Sequence, residues 1–314
     1  MEQEMKYIYA IYEEGNFSKA AEKLYMTQSA LSMAVQRVED ALGDKIFDRG
    51  KRPLKLTLVG EVYIQKYYEI NQLEKEMQEQ INDIDNLKSG KLVIGGSQYI
   101  LSYILPPVLV KYTSMYPHVD IRLVEYGSNQ LDDKLLDGSI DLCLKCEKVK
   151  SPLGMVGEAF TDNLFLVMPK SFIKKYNLPN IGVSRDLIVS NEYCSDFYPS
   201  LDCSYWSMIP LLVLSPGNNL RKRVIRLFEE NDMKPNIFME MQQLVTAYRI
   251  AVGGLGATLT TDFIIKKNLD PDAVYFKLDS SLIKRDFQFI MNKKGYISKA
   301  VRRFMEMTRE EYFV

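Results

Sequence analysis

Two groups of polar residues in this sequence have the spacing that binding chemistry requires. The first lies between Thr27 and Gly43, where apolar residues recur at helical spacing and leave one polar helix face. That face begins at Thr27 and carries Gln28, Ser29, Ser32, Gln36 and Arg37. Amides and hydroxyls presented in this way can read base edges in the major groove of duplex DNA. Basic residues that can pair with phosphates or enter the minor groove follow around Gly50 and Pro53, namely Arg49, Lys51, Arg52 and Lys55.

The second group lies in turns that follow predicted β-strands farther along the chain. In chain order its members are Ser97, Gln98, Tyr99, Gly127, Ser128, Cys146, Ser215, Gly217 and Asn218. In open α/β sheets a ligand binds beyond the carboxyl ends of the strands, where helix N-termini offer unpaired N–H groups. These turns therefore predict a site for a small molecule, and simple helix capping is the alternative explanation for the same residue types. No Arg or Lys lies within the turns, so the charge of the ligand stays open.

Composition and motif searches exclude several other kinds of chemistry. The 40 Lys plus Arg against 41 Asp plus Glu give a net charge of -1, so the whole chain is not a polycation. A single histidine, His118, cannot supply a His-rich metal site and argues against a His-based nucleophile triad. Cys143 and Cys146 are three positions apart on a predicted strand, which points their sulfurs to opposite faces. Catalysis and cofactors are not expected, although an enzyme on a binding-protein-like fold is kept as a rival.

The N-terminal part must position the polar helix face and the basic cluster. Residues 1 to 57 predict short helices separated by a tight turn, followed by a β-ribbon whose turn contains Gly50 and Pro53. This order is typical of a winged helix-turn-helix, in which the second helix enters the major groove.

A long helix is predicted next, because residues 58 to 87 contain no proline and their only glycine is Gly60. Two series of mostly apolar residues with a seven-residue period suit a helix that pairs with a partner helix. The proposed dimerisation residues are Tyr63, Ile70, Leu73, Met77 and Ile84. The alternative is a core helix of one domain, which the length and the acidic exterior disfavour.

Strands alternate with helices after Gly90, and this alternation predicts βαβ units with a parallel sheet. With 46% hydrophobic and 26% charged residues, the chain can bury cores of this kind. The apolar runs are shorter than the roughly 20 residues that span a membrane. The acidic N-terminus lacks the basic start and cleavage site of a secretory signal, so a cytoplasmic location is predicted.

The residues of the N-terminal part also match a family motif. Gly15, Phe17, Ala20, Ala21, Leu24, Gln28, Ser32, Glu39, Leu42, Gly43, Phe47, Arg49, Leu56, Thr57 and Gly60 stand as they do in LysR-type transcriptional regulators. The segments GKLVIGG, YPHVDIRLVEYGS, LLDGSIDL and VGGLGATL resemble the effector-binding half of the same family. Departures from the motif are Ser29, where a proline is frequent, and Met33 and Ala34, where polar or basic residues are frequent.

The resemblance implies a fold, a domain division and partners. The fold is α/β, with an N-terminal winged helix-turn-helix over 1–57, a linker and dimerisation helix over 58–90, and an effector-binding domain over 91–314. That last domain consists of two Rossmann-like subdomains of periplasmic-binding-protein type, one covering 91–162 and 266–314 and the other 163–265, with the effector between them. The implied partners are a double-stranded DNA operator, a small-molecule effector, further copies of the chain in a homodimer or homotetramer, and RNA polymerase; no membrane is implied.

A second functional hypothesis rests on Cys194 and Cys203. They lie in residues 188 to 210, a segment rich in aromatic residues that is an insertion relative to the family pattern. Redox-sensing members of the family also use a cysteine pair in the second subdomain, so a redox-responsive regulator is the alternative. The family's pair directly follows a strand that corresponds here to residues 211 to 214, and no cysteine occupies the matching position.

Overall fold

The computed structural model describes residues 2–50, 54–84, 90–146, 153–195, 197–293 and 295–313. Contacts between residues divide the chain into two compact units, residues 1–80 and residues 81–314. We describe each unit by itself.

The first unit contains three short helices, a β-ribbon and most of a long helix. In chain order these are α1 (Glu2–Glu14), α2 (Phe17–Lys23), α3 (Gln28–Leu42), β1 (Phe47–Asp48), β2 (Lys55–Leu56) and α4 (Leu58–Ile84). The helix boundaries follow from local chemistry: Asn16 accepts from the Ser18 amide at 2.8 Å, and Thr27 accepts from the Ala30 amide at 3.3 Å. Gly43, with φ of 73°, supplies the left-handed residue that ends α3.

The core of this unit lies between the three short helices, the ribbon and the start of α4. Its buried side chains are Ile8, Ala10, Ile11, Ala20, Ala21, Leu31, Val35, Ile46, Phe47 and Ile64. Thr57 precedes α4, and its hydroxyl accepts a hydrogen bond from the Gly60 amide at 3.0 Å. A side chain at Gly60 would collide with the Ile46 carbonyl, so α4 approaches the loop before β1 more closely than any other residue type allows. The ribbon has the predicted position, and its tip, Lys51 to Pro53, lies outside the described residues.

The second unit is a mixed α/β domain. Its strands are β3 (Gly90–Gly96), β4 (Val119–Glu125), β5 (Leu142–Lys145), β6 (Leu153–Pro169), β7 (Leu211–Leu214), β8 (Ile237–Met241), β9 (Thr258–Thr261), β10 (Ala273–Phe276) and β11 (Lys284–Asn292). Its α-helices are α5 (Leu105–Met115), α6 (Ser128–Leu136), α7 (Ser171–Lys175), α8 (Arg185–Val189), α9 (Cys203–Trp206), α10 (Asn219–Glu229), α11 (Leu244–Val252), α12 (Asp262–Lys267) and α13 (Lys299–Tyr312). A π-helical turn (Ile100–Ile104) precedes α5, and 3-10 turns cover Glu192–Cys194 and Ser281–Ile283.

The sheet is mixed, whereas the alternating pattern predicted a parallel one. Strands β3, β4 and β5 are parallel to one another, but β11 pairs antiparallel with both β5 and β6. The difference arises because β6 and β11 carry the chain between the two halves of the unit. Residues 153–163 of β6 pair with β11, and residues 164–167 pair with β9. Gly154 and Gly157 interrupt the apolar alternation in the first part of β6, so the sequence pattern indicates a strand clearly only from Asn163 onward.

The return from the second half to the first lies later than the sequence predicted. Strand β10 pairs with residues 166–169 of β6, so it belongs to the second half of the unit. The chain therefore crosses back between β10 and β11, after Phe276, and not near Lys266 as expected. The sequence of a four-residue apolar strand does not indicate which half of the sheet the strand will pair with. Among the described helices, none combines the length and the apolar character that crossing a membrane requires.

Candidate functional site

The polar face of α3 is exposed as predicted from its sequence. Gln28, Ser29 and Arg37 are exposed, and Ser32 is half-buried. Thr27 is exposed as well, but its hydroxyl caps α3 and lies 3.2 Å from the Ser29 hydroxyl. The face also contains an apolar side chain, because Met33 is 62% exposed. This surface can offer amide and hydroxyl groups to base edges together with one apolar contact.

Two residues predicted to contact DNA are held by neighbours in the same unit. The Gln36 amide nitrogen donates to Asp40 at 2.6 Å, and its oxygen accepts from Lys45 at 3.0 Å. The Arg49 guanidinium lies 5.2 Å from the centre of the Phe17 ring, and its Nη2 donates to Glu39 at 3.4 Å. These contacts hold both side chains beside their neighbours, and each side chain keeps further N–H groups with which it could meet DNA. Lys51 and Arg52 lie outside the described residues.

Glu39 fixes α3 to the ribbon. Its side chain is 1% exposed, and its Oε1 accepts from the Ile46 amide at 2.9 Å. Its Oε2 accepts from Lys45 at 3.0 Å in addition to Arg49. A buried carboxylate is tolerated because charged donors and backbone amides both meet it. The helix that presents the polar face is thereby held against the strand that begins the wing.

The apolar seam of α4 is largely free in one chain. Ile70, Leu73 and Met77 are exposed, Leu73 by 65%. Tyr63 is half-buried against the core of the first unit, and burial raises the pKa of its hydroxyl. The side chain of Ile84 lies outside the description. The seven-residue series missed exposed apolar neighbours that extend the same surface, namely Leu58, Val62 and Ile81.

The turns of the second unit surround one cavity of about 560 Å³. Eight of the nine predicted effector-binding residues line it: Ser97, Gln98, Tyr99, Gly127, Cys146, Ser215, Gly217 and Asn218. The ninth, Ser128, is the first residue of α6, beside Gly127, and its side chain is not described. The parallel strands β3, β4 and β5 place their carboxyl ends at the same edge of one sheet, and the turn after β7, in a separate sheet with β8, meets the same cavity.

Helix starts supply the polarity of the cavity. At α6, the Gly127 amide donates to the Gln130 side chain at 3.3 Å. At α10, Asn218 accepts from the Leu220 amide at 2.8 Å. Both ends are capped, yet the N-termini of these helices still contribute positive potential where they meet the cavity. The expectation of capping and the expectation of a ligand site are therefore compatible.

The turn after β3 is shaped by two prolines. Pro106 and Pro107 have no amide hydrogen, and the Leu105 amide donates to the Ile100 carbonyl in a π-helical turn. The turn brings the Tyr99 ring to 6.2 Å from the Tyr103 ring. The Tyr99 hydroxyl donates to Asp162 at 2.6 Å, and burial raises its pKa well above the ordinary value. Tyr99 thus stays protonated and serves as a fixed donor.

Sequence reasoning missed the cations of the cavity because it searched only the turns. Lys145 and Arg285 line the cavity from strands β5 and β11. Lys145 forms an ion pair with Asp132, and Arg285 forms one with Asp162. Burial lowers the pKa of Arg285, but the charge and hydrogen bonds of Asp162 outweigh it and raise the pKa above its ordinary value. Amide side chains missed for the same reason are Gln130, Asn219, Gln242 and Gln243.

The cysteines differ in their surroundings. Burial raises the pKa of Cys143 to about 12 and that of Cys203 to about 11. Cys203 lies in α9 beside the buried Trp206, and Cys194 is exposed. Cys146 lines the cavity and donates to Asn219 at 3.5 Å. A thiol that holds its proton this firmly is a poor nucleophile, so the surroundings of Cys203 do not favour redox sensing.

Two family models match the chain. The first, a bacterial regulatory helix-turn-helix protein of the lysR family, matches residues 3–61. The second, the LysR substrate binding domain, matches residues 85–178 and 186–312. The chain belongs to the LysR family. It is a LysR-family transcriptional regulator with a helix-turn-helix DNA-binding domain and an effector-binding domain, as its sequence predicted.

Relatives of this LysR-family chain match it over nearly its full length. An uncharacterized HTH-type transcriptional regulator of Bacillus subtilis (strain 168), YcgK, is 27% identical over 310 residues, which cover 98% of this chain and 93% of the relative. A probable RuBisCO transcriptional regulator of Cyanophora paradoxa is 28% identical over 316 residues, covering 97% and 90%. The crystal structure of full-length CbnR complexed with its target DNA has a TM-score of 0.62 at 18% identity, covering 99% of each chain. That likeness shows a shared fold.

Proposed function

We propose that this regulator binds its effector in the cavity of the second unit and acts by binding alone, without catalysing a reaction. The observation that carries the proposal is the convergence of four turns, after β3, β4, β5 and β7, on one cavity of about 560 Å³. A volume of this size suits a small metabolite. Within the described residues, no group of three or more His, Cys, Asp or Glu side chains could hold a metal ion.

We further propose that α3 enters the major groove of an operator. Gln28, Ser29 and Ser32 then meet base edges, and the exposed Met33 meets a thymine methyl group. Arg37 and the basic tip of the ribbon contact phosphates or the minor groove. Gln36 and Arg49 can join them through the N–H groups that their present partners do not use.

The third part of the proposal is a homodimer held by α4. Ile70, Leu73 and Met77 leave an apolar stripe that a second copy of the helix can cover. Two copies of α3 can then reach half-sites on successive turns of one DNA face. We assign 1–57 to DNA binding, 58–90 to the linker and 91–314 to effector binding, with the second subdomain ending after Phe276. In the relative CbnR, the crystallised complex contains the target DNA.

A thermal-shift screen of metabolites on the full chain tests the effector site. A compound that binds only the folded state stabilises it by a free energy of RT ln(1 + [L]/Kd), and this stabilisation raises the melting temperature. The substitution Ser97→Trp fills the cavity and should abolish the shift. Ser102→Trp is the matched control, because Ser102 lies in the π-helical turn that follows Ser97, is exposed and does not line the cavity. A ligand-induced shift that survives Ser97→Trp would place the effector elsewhere.

A further inference from the structure

The chemistry of the cavity's occupant can be inferred from a buried ion pair, and this inference rests on the proposed function of the cavity as the effector site. Arg285 on β11 faces Asp162 on β6 across the antiparallel pairing. Arg285 is 5% exposed and Asp162 is fully buried. The Nε atom of Arg285 donates to Oδ1 of Asp162 at 2.7 Å, and Nη2 donates to Oδ2 at 2.5 Å. Arg285 also lines the cavity, so this pair forms part of its wall.

Aromatic rings hold the guanidinium in one orientation. Its Cζ atom lies 5.4 Å from the centre of the Tyr99 ring and 5.1 Å from that of the Phe287 ring. The Tyr99 hydroxyl donates to the same carboxylate that Arg285 contacts. The side chains of Arg285, Asp162 and Tyr99 are therefore already held in place, and a ligand that contacts this guanidinium does not have to order them.

The guanidinium has donors left over. Of its five N–H groups, one on Nε and one on Nη2 go to Asp162. Its Nη1 has no hydrogen-bond partner within the part of the chain that the structure describes. An occupant of the cavity can supply an acceptor to these donors, and a carboxylate oxygen gives the strongest such bond.

The charge balance around the pair favours an anion. Asp162 offsets Arg285, and Asp132 offsets Lys145. Arg223 is half-buried nearby and donates to the Asn219 side chain and to the Leu282 carbonyl, with no carboxylate partner among the described residues. The N-termini of α6 and α10 add positive potential. Glu125 also lines the cavity, but it is exposed, and water screens its charge.

A second polar atom specifies the rest of the ligand. Oε1 of Gln98 is buried at the cavity without a hydrogen-bond partner in the described structure. A rotation of the half-buried Gln98 side chain can turn this oxygen toward the cavity, where a donor from the occupant would satisfy it. A hydroxyl or an amino group supplies one.

We propose that the effector is a small polar carboxylate that carries a hydroxyl or amino donor, with its carboxylate on Arg285 and its donor on Gln98. Both features lie within a cavity of about 560 Å³, which limits the ligand to a small metabolite. Arg285 and Gln98 are therefore specificity-determining residues.

The test uses the full chain and a panel of lactate, malate, serine and glutamate, each paired with its uncharged amide. Melting temperature and calorimetric affinity are measured for every compound. At least one carboxylate should raise the melting temperature and bind about tenfold or more tightly than its amide, because a charge-assisted hydrogen bond is lost in the amide. Propionate, which lacks the donor of lactate, should bind about fivefold or more weakly than lactate.

Two variants separate binding from folding. Asp162→Asn with Arg285→Gln replaces the buried ion pair by a neutral pair of similar shape, and it should remove the preference for carboxylate over amide. Gln98→Leu leaves the ion pair untouched and should remove the preference for lactate over propionate. The melting temperature of each ligand-free variant reports whether the fold is retained.

Each outcome decides the proposal. Equal affinity for carboxylate and amide, an unchanged preference in both variants, or no carboxylate binding at all overturns it. Binding of an uncharged compound that Ser97→Trp abolishes would overturn the ligand class and keep the cavity as the effector site. Binding that Ser97→Trp leaves intact would overturn the proposed site itself.

Discussion

Replacing Glu39 should loosen the wing from the helix that carries the polar face. In Glu39→Ala, the buried Ile46 amide loses its 2.9 Å acceptor, and Lys45 and Arg49 lose a common partner. A hydrogen bond to a charged group contributes about 1.5 to 3 kcal/mol, and an orphaned buried amide costs about 1 to 3 kcal/mol more. We therefore expect a loss of about 3 to 5 kcal/mol in the stability of the ribbon contact.

Glu39→Gln separates the hydrogen bond from the charge. The amide oxygen of glutamine can still accept from Ile46, so only the ion pairs to the half-exposed Lys45 and Arg49 are lost. Solvent-screened pairs contribute about 0 to 1 kcal/mol each, so this variant should lose about 1 kcal/mol. The two variants should differ by about 2 to 4 kcal/mol, which is a factor of about 30 to 700 in an opening equilibrium.

Hydrogen exchange at the Ile46 and Phe47 amides measures this opening directly. Protection at both amides should fall far more in Glu39→Ala than in Glu39→Gln. Glu22→Ala serves as the control, because Glu22 is an exposed helical glutamate. Equal loss of protection in the alanine and glutamine variants would refute the reasoning, since it would mean that the backbone hydrogen bond is not what holds the ribbon.

Three further outcomes are expected. Gln28→Ala should reduce the discrimination between bases at one operator position by about 1 to 3 kcal/mol, and an equal loss of affinity for operator and random DNA would contradict its role. Arg52→Ala should weaken the binding of operator and random DNA alike and flatten the salt dependence of the affinity, as titrations at several salt concentrations would measure. Leu73→Asp or Ile70→Asp should disfavour the dimer by placing a charge in an apolar interface, and an unchanged oligomer in sedimentation would exclude this seam. Because burial raises the pKa of Cys203 to about 11, only about one thousandth of this thiol is ionised at pH 8, against about a quarter of an ordinary thiol. The rate at which iodoacetamide labels Cys203 should therefore be low at pH 8 and rise toward pH 11. Fast labelling of Cys203 at pH 8 would restore the redox hypothesis.

Local signals in the sequence were sufficient for the elements and for most of the cavity. Caps such as Asn16 and Thr27 act on their own helix, so their positions could be predicted from neighbouring residues. The turns after β3, β4 and β5 could be assigned to one site because parallel strands end at a common edge, whereas the turn after β7 lies in a second sheet. The family motif added the domain order.

Pairing between distant strands could not be predicted in the same way. Nothing near Arg285 in the sequence indicates that Asp162, 123 residues earlier, will face it. The pairing of β10 likewise depends on β6, more than 100 residues before it. The ion pair of Arg285 with Asp162 could not be predicted for this reason, nor could the point at which the chain returns to the first half of the sheet.

The path of β6 and β11 has a consequence for biosynthesis. The half of the sheet that begins with β3 receives β11 and α13 only after residues 284–312 are made. The first unit, by contrast, has all of its short helices and its ribbon within the first 56 residues. A ribosome therefore releases residues that can complete a DNA-binding fold long before Arg285 exists to close the wall of the cavity. Until that moment the nascent chain carries an unfinished sheet with unpaired strand edges, which is the stage most exposed to aggregation.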